Sequence, residues 1–277
     1  MPMADFEVDT RVEGASGAYS ATLAPAWNIW GPNGGYLCAI ALRAVGCECA
    51  IRRPVAVYVH YLRVAKFGPV NIQVTPLAQG KRAESFRLEM AQEGSVVLAG
   101  MVRTAVAGEG LVHDFGDRPE VPPPEALPRP ADLMTAEHRK RPAFWDNLES
   151  RVVQRERYAL PLTAAAPRWI EWFRFETRAG LGDPFVDAGR SLVLLDTLSW
   201  PAAWIAHPDT PLIAPSLDFG AWLHRPAAES EWLLVDSVSP VAERGAIAAH
   251  ARVWDRAGRL VASSGTQLLC MPPPKRG

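Results

Sequence analysis

The chain has 277 residues, of which 48% are hydrophobic and 21% are charged, as is ordinary for a soluble globular protein. Its formal net charge of −1 gives no basic surplus that would indicate binding to nucleic acid or to a membrane. The first residues lack a basic segment followed by an apolar run, and no apolar stretch reaches the roughly 20 residues of a spanning helix. We therefore expect a cytoplasmic protein.

The four cysteines do not form a metal-binding pattern. Cys47 and Cys49 make a C-x-C pair, but no second pair with the spacing of a zinc site accompanies it. We expect reduced thiols with structural roles, and we predict no metal and no cofactor.

Taken in chain order, the first half predicts short strands, one helix and then a run of strands. Loose alternation over residues 1–26 indicates the short strands. A glycine-rich turn at 31–35 leads into a helix over Tyr36–Gly46, which is apolar on nearly all sides and therefore predicted to be buried. Beyond Pro54, period-two alternation indicates antiparallel strands. These are Val55–Arg63, Pro69–Pro76, Ala83–Met90 and Ser95–Val106.

A proline-rich connection runs from about Gly108 to Pro167. Nine of the 25 prolines lie between Gly116 and Pro167, and clusters of arginine add charge. We predict a linker that lies over the surface, with one polar helix near Ala143–Arg155.

The second half repeats the order of the first. A strand begins at Arg168 and a buried helix is predicted over Leu192–Ala206. Further strand-like segments are Ala214–Pro226, Glu231–Val238, Gly245–Asp255 and Gly258–Met271. Gly34 lies 29 residues before Arg63, and Asp196 lies 29 residues before Arg225, which ends the equivalent strand. This spacing predicts that Asp196 corresponds to the glycine turn, within an internal duplication of about 110 residues.

A sheet can bury such a helix only by wrapping around it, which is the hotdog arrangement. The predicted fold class is therefore α+β, a double hotdog of two tandem repeats. We place the N-terminal hotdog at 1–110, the connection at 111–167 and the C-terminal hotdog at 168–277. Exposed sheet faces or edges in each repeat favour a homo-oligomer.

Two groups of polar positions are candidates for chemistry. Asp196 lies in a run that is otherwise nearly all apolar, where a carboxylate is costly unless partners satisfy it. It is either a structural or helix-capping residue or a catalytic one. At the start of the first helix, free N–H groups at Asn33, Gly34 and Gly35 could bind a substrate oxygen, or the glycines could serve only to form the turn.

Several motifs together resemble the double-hotdog acyl-CoA thioesterases of the thioesterase II type. They are Asn33-Gly-Gly-Tyr-Leu, the strand ending Tyr-Leu-Arg63, the strand ending Leu-His-Arg-Pro226 and Gly258-Arg-Leu-Val-Ala-Ser. The resemblance implies hydrolysis of an acyl-CoA or related acyl thioester by a water molecule that an Asp, a hydroxyl residue and a Gln activate. The matching positions are Asp196 followed by Pro201, Ser216 two residues before Asp218, and Gln267 after the Leu-Val-Ala-Ser run.

Gln267 is the position at which this sequence departs from the family pattern. The segment Val261-Ala-Ser-Ser-Gly-Thr-Gln267 is one residue longer than the resemblance implies. Because side chains alternate between the two faces of a strand, Gln267 would face the wrong way unless a bulge at Gly265 absorbs the extra residue. Ser264 and Thr266 are the alternates. A Gln267 that faces Asp196 would favour an enzyme, and one that faces solvent would weaken that interpretation.

Three other functions are alternatives to thioester hydrolysis. The Gly-x-Ser-x-Gly motif is absent, which argues against a nucleophile-elbow hydrolase. Asp218 and His224 resemble the Asp-x4-His pattern of hotdog hydratases, but their spacing is one residue too long. A non-catalytic acyl-CoA-binding protein on the same fold stays open, since a fold alone does not establish a reaction.

Overall fold

The computed structural model describes residues 4–134, 141–159, 161–177 and 182–273. Its α-helices are α1 (Phe6–Asp9), α2 (Gly34–Glu48), α3 (Pro130–Leu133), α4 (Pro184–Thr197) and α5 (Ser199–Trp204). Its strands are β1 (Glu13–Ala15), β2 (Ala18–Leu23), β3 (Pro54–Tyr61), β4 (Gly68–Gln79), β5 (Ala83–Gln92), β6 (Ser95–Ala105), β7 (Leu148–Val152), β8 (Arg168–Phe175), β9 (Asp218–Leu223), β10 (Leu233–Glu243), β11 (Ala246–Asp255) and β12 (Leu260–Leu269). Short 3-10 helices lie at Pro25–Trp27, Pro124–Ala126, Ala143–Asn147 and Arg155–Arg157.

The twelve strands of the described residues form one sheet in the order β1-β2-β4-β5-β6-β3-β9-β12-β11-β10-β8-β7. The first six strands in this order come from the first half of the chain and the last six from the second. The halves join where β3 pairs with β9 in an antiparallel ladder from Ala56↔Trp222 to His60↔Asp218. The duplication therefore builds a single continuous sheet.

The two long helices, α2 and α4, pack against each other in opposite directions. A Cβ added at Gly35 would lie 2.5 Å from the carbonyl oxygen of Leu192, and one added at Gly46 would lie 2.8 Å from the ring of Phe185. The two helix backbones therefore touch at Gly35, whereas at Gly46 the backbone packs against the Phe185 ring, as small residues allow. Both helices are buried in the main core together with inward-facing strand residues of both halves. This contact brings the start of α2 to the end of α4.

The proline-rich connection covers the outer face of the second half. Val121 and Leu127 pack against a second apolar cluster that contains Trp172 and Trp254. The indole N–H of Trp172 also donates to the carbonyl oxygen of Pro122 at 3.1 Å. The predicted domain boundaries at 110/111 and 167/168 stay predictions.

The polar helix predicted near Ala143–Arg155 is wrong. Residues Ala143–Asn147 form a 3-10 helix, and β7 follows as an edge strand that pairs with β8 from Leu148↔Phe175 to Val152↔Glu171. Alternate residues of β7 are buried, so this segment has the period-two pattern of a strand although it is rich in charged residues.

The helix predicted over Leu192–Ala206 begins earlier and is divided in two. The Asp183 side chain caps α4 by accepting from the N–H of Phe185 at 2.7 Å, and Pro184 occupies the favoured first helical position. Leu198, with φ −101° and ψ 3°, separates α4 from α5. The predicted correspondence of Asp196 with Gly34 is also wrong. Gly34 is the first residue of α2, whereas Asp196 is the second-to-last residue of α4. The link from helix to strand is much longer in the second half, so equal spacing from the strand does not mark equivalent helix positions.

Candidate active site

The N-terminus of α2 supplies donors that face the C-terminal end of α4. Asn33 caps α2, and its side-chain oxygen accepts from the N–H of Tyr36 at 2.9 Å. The amide nitrogen of the same side chain is then free to donate elsewhere. It donates to Oδ2 of Asp196 at 3.0 Å.

The Asp196 carboxylate is held at both oxygens. Besides Asn33, the backbone N–H of Gly35 donates to Oδ2 at 3.1 Å, and the hydroxyl of Ser216 donates to Oδ1 at 3.4 Å. Asp196 and Ser216 are both half-buried, whereas Asn33 is buried. The structure thus brings together five of the six predicted site residues, and Asp196 as a whole residue is not fully buried there.

Burial raises the pKa of Asp196 above its ordinary value. Hydrogen bonds from Gly35, Ser216, Asn33 and Gly34 act in the opposite direction, because they favour the carboxylate form. The positive end of the α2 dipole favours that form as well. The result is a better proton acceptor than an ordinary aspartate.

Ser216 is placed by pairing just before β9. It forms an isolated bridge with Leu268, and the N–H of Leu217 donates to the carbonyl oxygen of Gln267 at 2.8 Å. The N–H of Tyr61 in turn donates to the carbonyl oxygen of Leu217 at 2.9 Å. The end of β3, the start of β9 and the end of β12 are therefore tied together beside Asp196.

The structure does not bring the side chain of Gln267 to Asp196, and its predicted role stays a prediction. The side chain of Gln267 is exposed, whereas Thr266 and Leu268 on either side of it are buried. The pairing of β12 with β11 is regular from Ala246↔Leu269 to Val253↔Ala262, so no bulge at Gly265 corrects the alternation. The irregularity lies on the facing segment instead. Between the pairs Gly220↔Gly265 and Ser216↔Leu268, the segment that contains Ser216 is one residue longer than the part of β12 that it pairs with.

The two alternates to Gln267, Ser264 and Thr266, do lie on the inner face of β12. The hydroxyl of Thr266 donates to the carbonyl oxygen of Asp218 at 2.6 Å. The hydroxyl of Ser264 is buried and has no hydrogen-bond partner among the described residues. Neither has a hydrogen bond to Asp196 within the part of the chain that the structure describes.

Tyr61 lies at the site, although the motif that contains it, Tyr-Leu-Arg63, suggested no functional role for it. A Cβ added at Gly34 would lie 2.8 Å from the Tyr61 hydroxyl oxygen and 3.2 Å from Oδ2 of Asp196. The two oxygens therefore border the same small space beside Gly34. Tyr61 ends a strand, and no spacing in the sequence relates it to Asp196.

Asp218 and His224 do not act together as the hydratase comparison would require. Oδ1 of Asp218 accepts from the N–H of Gln267 at 2.9 Å, whereas Nε2 of His224 contacts the hydroxyl of Ser263 at 3.0 Å. Among the described residues, no cluster of His, Cys, Asp and Glu is suited to hold a metal ion. Within the same residues, no helix has both the length and the apolar character needed to cross a bilayer.

Comparison with protein families decides the relationship. Residues 23–105 match the model of the acyl-CoA thioesterase N-terminal domain, and residues 119–271 match that of the acyl-CoA thioesterase C-terminal domain. The chain belongs to the acyl-CoA thioesterase family. It is a thioester hydrolase, as the motifs predicted.

Solved structures of similar proteins confirm the predicted double hotdog fold. A conserved hot dog fold protein of unknown function from Alicyclobacillus acidocaldarius has a TM-score of 0.82 at 19% identity, with 97% of this chain and 98% of that chain covered. The acyl-CoA thioesterase II TesB2 from Mycobacterium marinum has a TM-score of 0.79 at 22% identity, with 98% and 100% covered. A tesB protein from Mycobacterium avium subs paratuberculosis has a TM-score of 0.78 at 21% identity, with 96% and 98% covered.

Proposed function

We propose that this thioesterase hydrolyses acyl-CoA, with Asp196 as the general base and Ser216 as the group that orients the attacking water. The observation that carries the proposal is the Asp196 carboxylate, which three donors hold in place on a residue that is only half-buried. A general base needs a fixed position within reach of the proton that it removes.

The two oxygens of Asp196 have different environments, which suggests how the roles divide. Oδ2 accepts from both Asn33 and Gly35, whereas Oδ1 accepts from Ser216 at the longer distance of 3.4 Å. A water bound beside Oδ1 and the Ser216 hydroxyl would donate one proton to Oδ1 and the other to the hydroxyl oxygen, whose own proton is donated to Oδ1. Such positioning lowers the entropic part of the barrier.

The reaction then proceeds in two balanced steps. The water oxygen attacks the thioester carbonyl carbon as Asp196 takes one water proton, and the carbonyl oxygen becomes an oxyanion. Collapse of this tetrahedral intermediate breaks the carbon–sulfur bond, and the departing thiolate takes the proton from Asp196. The products are a carboxylic acid and free coenzyme A, and the base is regenerated.

Exposed apolar side chains beside the site suit an acyl thioester substrate. They include Trp30, Leu62, Val64 and Leu217. Val64 lies next to Gly31 in the loop that precedes α2, and Leu217 follows Ser216 directly. An amphipathic substrate would cover this apolar surface on entering the site.

The experiment is thiol release from a panel of acyl-CoAs, short to long and aryl, by wild type and by Asp196→Asn. The matched control is Glu109→Gln, which makes the same change at an exposed position that is distant in sequence. We expect Asp196→Asn to lose most of kcat with little loss of binding, and the control to match wild type. An unchanged rate in Asp196→Asn would remove Asp196 as the base, and binding without thiol release by wild type would support a binding protein instead.

Two further properties stay predictions, namely a cytoplasmic location and assembly into a homo-oligomer. The outer face of the sheet supports the second, because Tyr58 and Trp222 are exposed there with their ring centroids 5.9 Å apart. Light scattering on the purified protein measures the assembly directly, and a monomer at all concentrations would contradict it.

A further inference from the structure

The proposed reaction creates an oxyanion, and the donors expected to bind it have another role. The first N–H groups of α2 were the candidates for a substrate oxygen. In the structure the N–H of Gly35 donates to Asp196, and the N–H of Gly34 also favours the Asp196 carboxylate. The N–H of Tyr36 is used by the Asn33 cap. The thioester oxygen therefore needs a donor from elsewhere.

The Tyr61 hydroxyl is such a donor in the right place. It borders the space beside Gly34 that Oδ2 of Asp196 also borders. Gly34, Tyr61, Asp196 and Ser216 are all half-buried, whereas the helical neighbours Gly35 and Cys38 are buried. The four half-buried residues thus form the accessible wall of the site.

The proton of this hydroxyl is available to a stronger acceptor. The recorded partner of Tyr61 Oη is Sγ of Cys38 at 3.2 Å, and a thiol sulfur is a weak acceptor. Burial raises the pKa of Tyr61, and the negative charge of Asp196 acts in the same direction, so the phenol stays protonated at neutral pH. An oxyanion would be a much stronger partner than the thiol.

We propose that Tyr61 donates a hydrogen bond to the thioester carbonyl oxygen and stabilises the oxyanion that forms on it. The inference rests on the proposed function, because it assumes attack by a water that Asp196 activates. A hydroxyl donor on a β-strand is held more rigidly than one on a loop, and donors fixed before the reaction are the effective ones. Gly34 is required beside it, because any side chain there would occupy the space between the phenol and the carboxylate.

The kinetic test compares Tyr61→Phe with Tyr58→Phe. Both substitutions remove only a hydroxyl from the same strand, but Tyr58 lies on the exposed outer face. We expect Tyr61→Phe to lower kcat by about 10²–10³-fold, the usual loss for one oxyanion donor, with KM nearly unchanged. Tyr58→Phe should match wild type. A kcat for Tyr61→Phe within about twofold of wild type, on the scale of one weak polar contact, would overturn the inference.

A spectroscopic test separates donation from a purely structural role. The carbonyl stretching band of ¹³C=O-labelled acyl-CoA is measured on Asp196→Asn and on the double variant Asp196→Asn with Tyr61→Phe. We expect the band to move to higher wavenumber in the double variant, because the hydrogen bond is lost. An unmoved band would exclude donation by Tyr61. If Asp196→Asn is fully active the proposed function fails, whereas an inactive Asp196→Asn with a fully active Tyr61→Phe refutes only the role of Tyr61.

Discussion

The N–H of Gly35 donates to Oδ2 of Asp196 at 3.1 Å, although the two residues are 161 positions apart. One belongs to the first half of the chain and the other to the second. The base is therefore assembled from both halves, at the point where α2 and α4 meet. A site of this kind depends on how closely the two helices approach.

Gly35→Ala tests that dependence. The added Cβ would lie 2.5 Å from the carbonyl oxygen of Leu192 and 2.6 Å from Cα of Val193. Both are backbone atoms, so no side-chain rotation can relieve the clash. We expect a loss of about 1–3 kcal/mol in the free energy of unfolding, as for other overpacked cores, together with loss of activity. Denaturant unfolding measures the first and thiol release the second. Gly108→Ala is the control, since nothing lies within 4 Å of its added Cβ.

The pH dependence of kcat/KM should show the raised pKa of Asp196. Activity needs the carboxylate, so it should rise with pH, with an acid limb centred above the ordinary value of 3.8. A midpoint at or below that value would contradict the role of Asp196 as the base.

The same pKa also affects stability. A carboxyl group whose pKa is raised by folding binds its proton more tightly in the native state, so its contribution to stability falls as pH rises from the unfolded pKa through the folded pKa. At pH values above both the unfolded and the folded pKa, the charged carboxylate lowers the stability of the fold. We therefore expect Asp196→Asn to be at least as stable as wild type in thermal unfolding at neutral pH. A lower melting temperature would show that the carboxylate serves the structure.

Ser216→Ala should lower kcat while Ser216→Thr should retain most of it. The alanine variant loses the hydroxyl that contacts Oδ1 of Asp196 at 3.4 Å, and threonine keeps it. A hydrogen bond to a charged group contributes about 1.5–3 kcal/mol, which corresponds to about 10–100-fold in rate. Single-turnover thiol release compares the two variants. Equal losses in both would indicate a packing role for Ser216.

The sequence predicted the two buried helices, the strands that follow each of them and the place of Asp196 in the second helix, because these follow from local patterns of apolar residues. It could not place Gln267, since the irregularity that sets the register lies on the opposite strand, near Ser216. Tyr61 was missed for a similar reason. Its proximity to Asp196 results from the packing of α2 against α4 and from the β3–β9 pairing, neither of which a periodic pattern reveals.

A buried ion pair in α4 offers a test of stability away from the site. Asp187 and Arg190 lie 2.5 Å apart with side-chain exposures of only 4% and 2%. Asp187 also accepts from the N–H of Ala227 at 2.8 Å, and Arg190 donates to the carbonyl oxygen of Ala227 at 2.8 Å. Removing one partner leaves a buried charge without compensation, so Arg190→Met alone should cost about 3–5 kcal/mol.

The double variant Asp187→Leu with Arg190→Met should recover part of that loss, because no charge then stays buried. The control is Lys66→Met at the exposed pair Lys66–Glu93, where both side chains are more than 70% exposed. Such a pair contributes about 0–1 kcal/mol. Chemical denaturation of all three proteins gives the comparison. A small loss in the single variant would show that water reaches the buried charge.

Gln267→Ala tests the register of β12 directly. The side chain is exposed and points away from the buried face on which Thr266 lies, so its removal should leave kcat within about twofold of wild type. Thr266→Val is the companion variant, because it removes a buried hydroxyl that donates to Asp218 and should disturb the segment next to Ser216. Steady-state thiol release on the same acyl-CoA measures both. A loss of about 10²-fold in Gln267→Ala would mean that Gln267 reaches the reacting groups in the working enzyme, and the alternation of β12 would have to be revised.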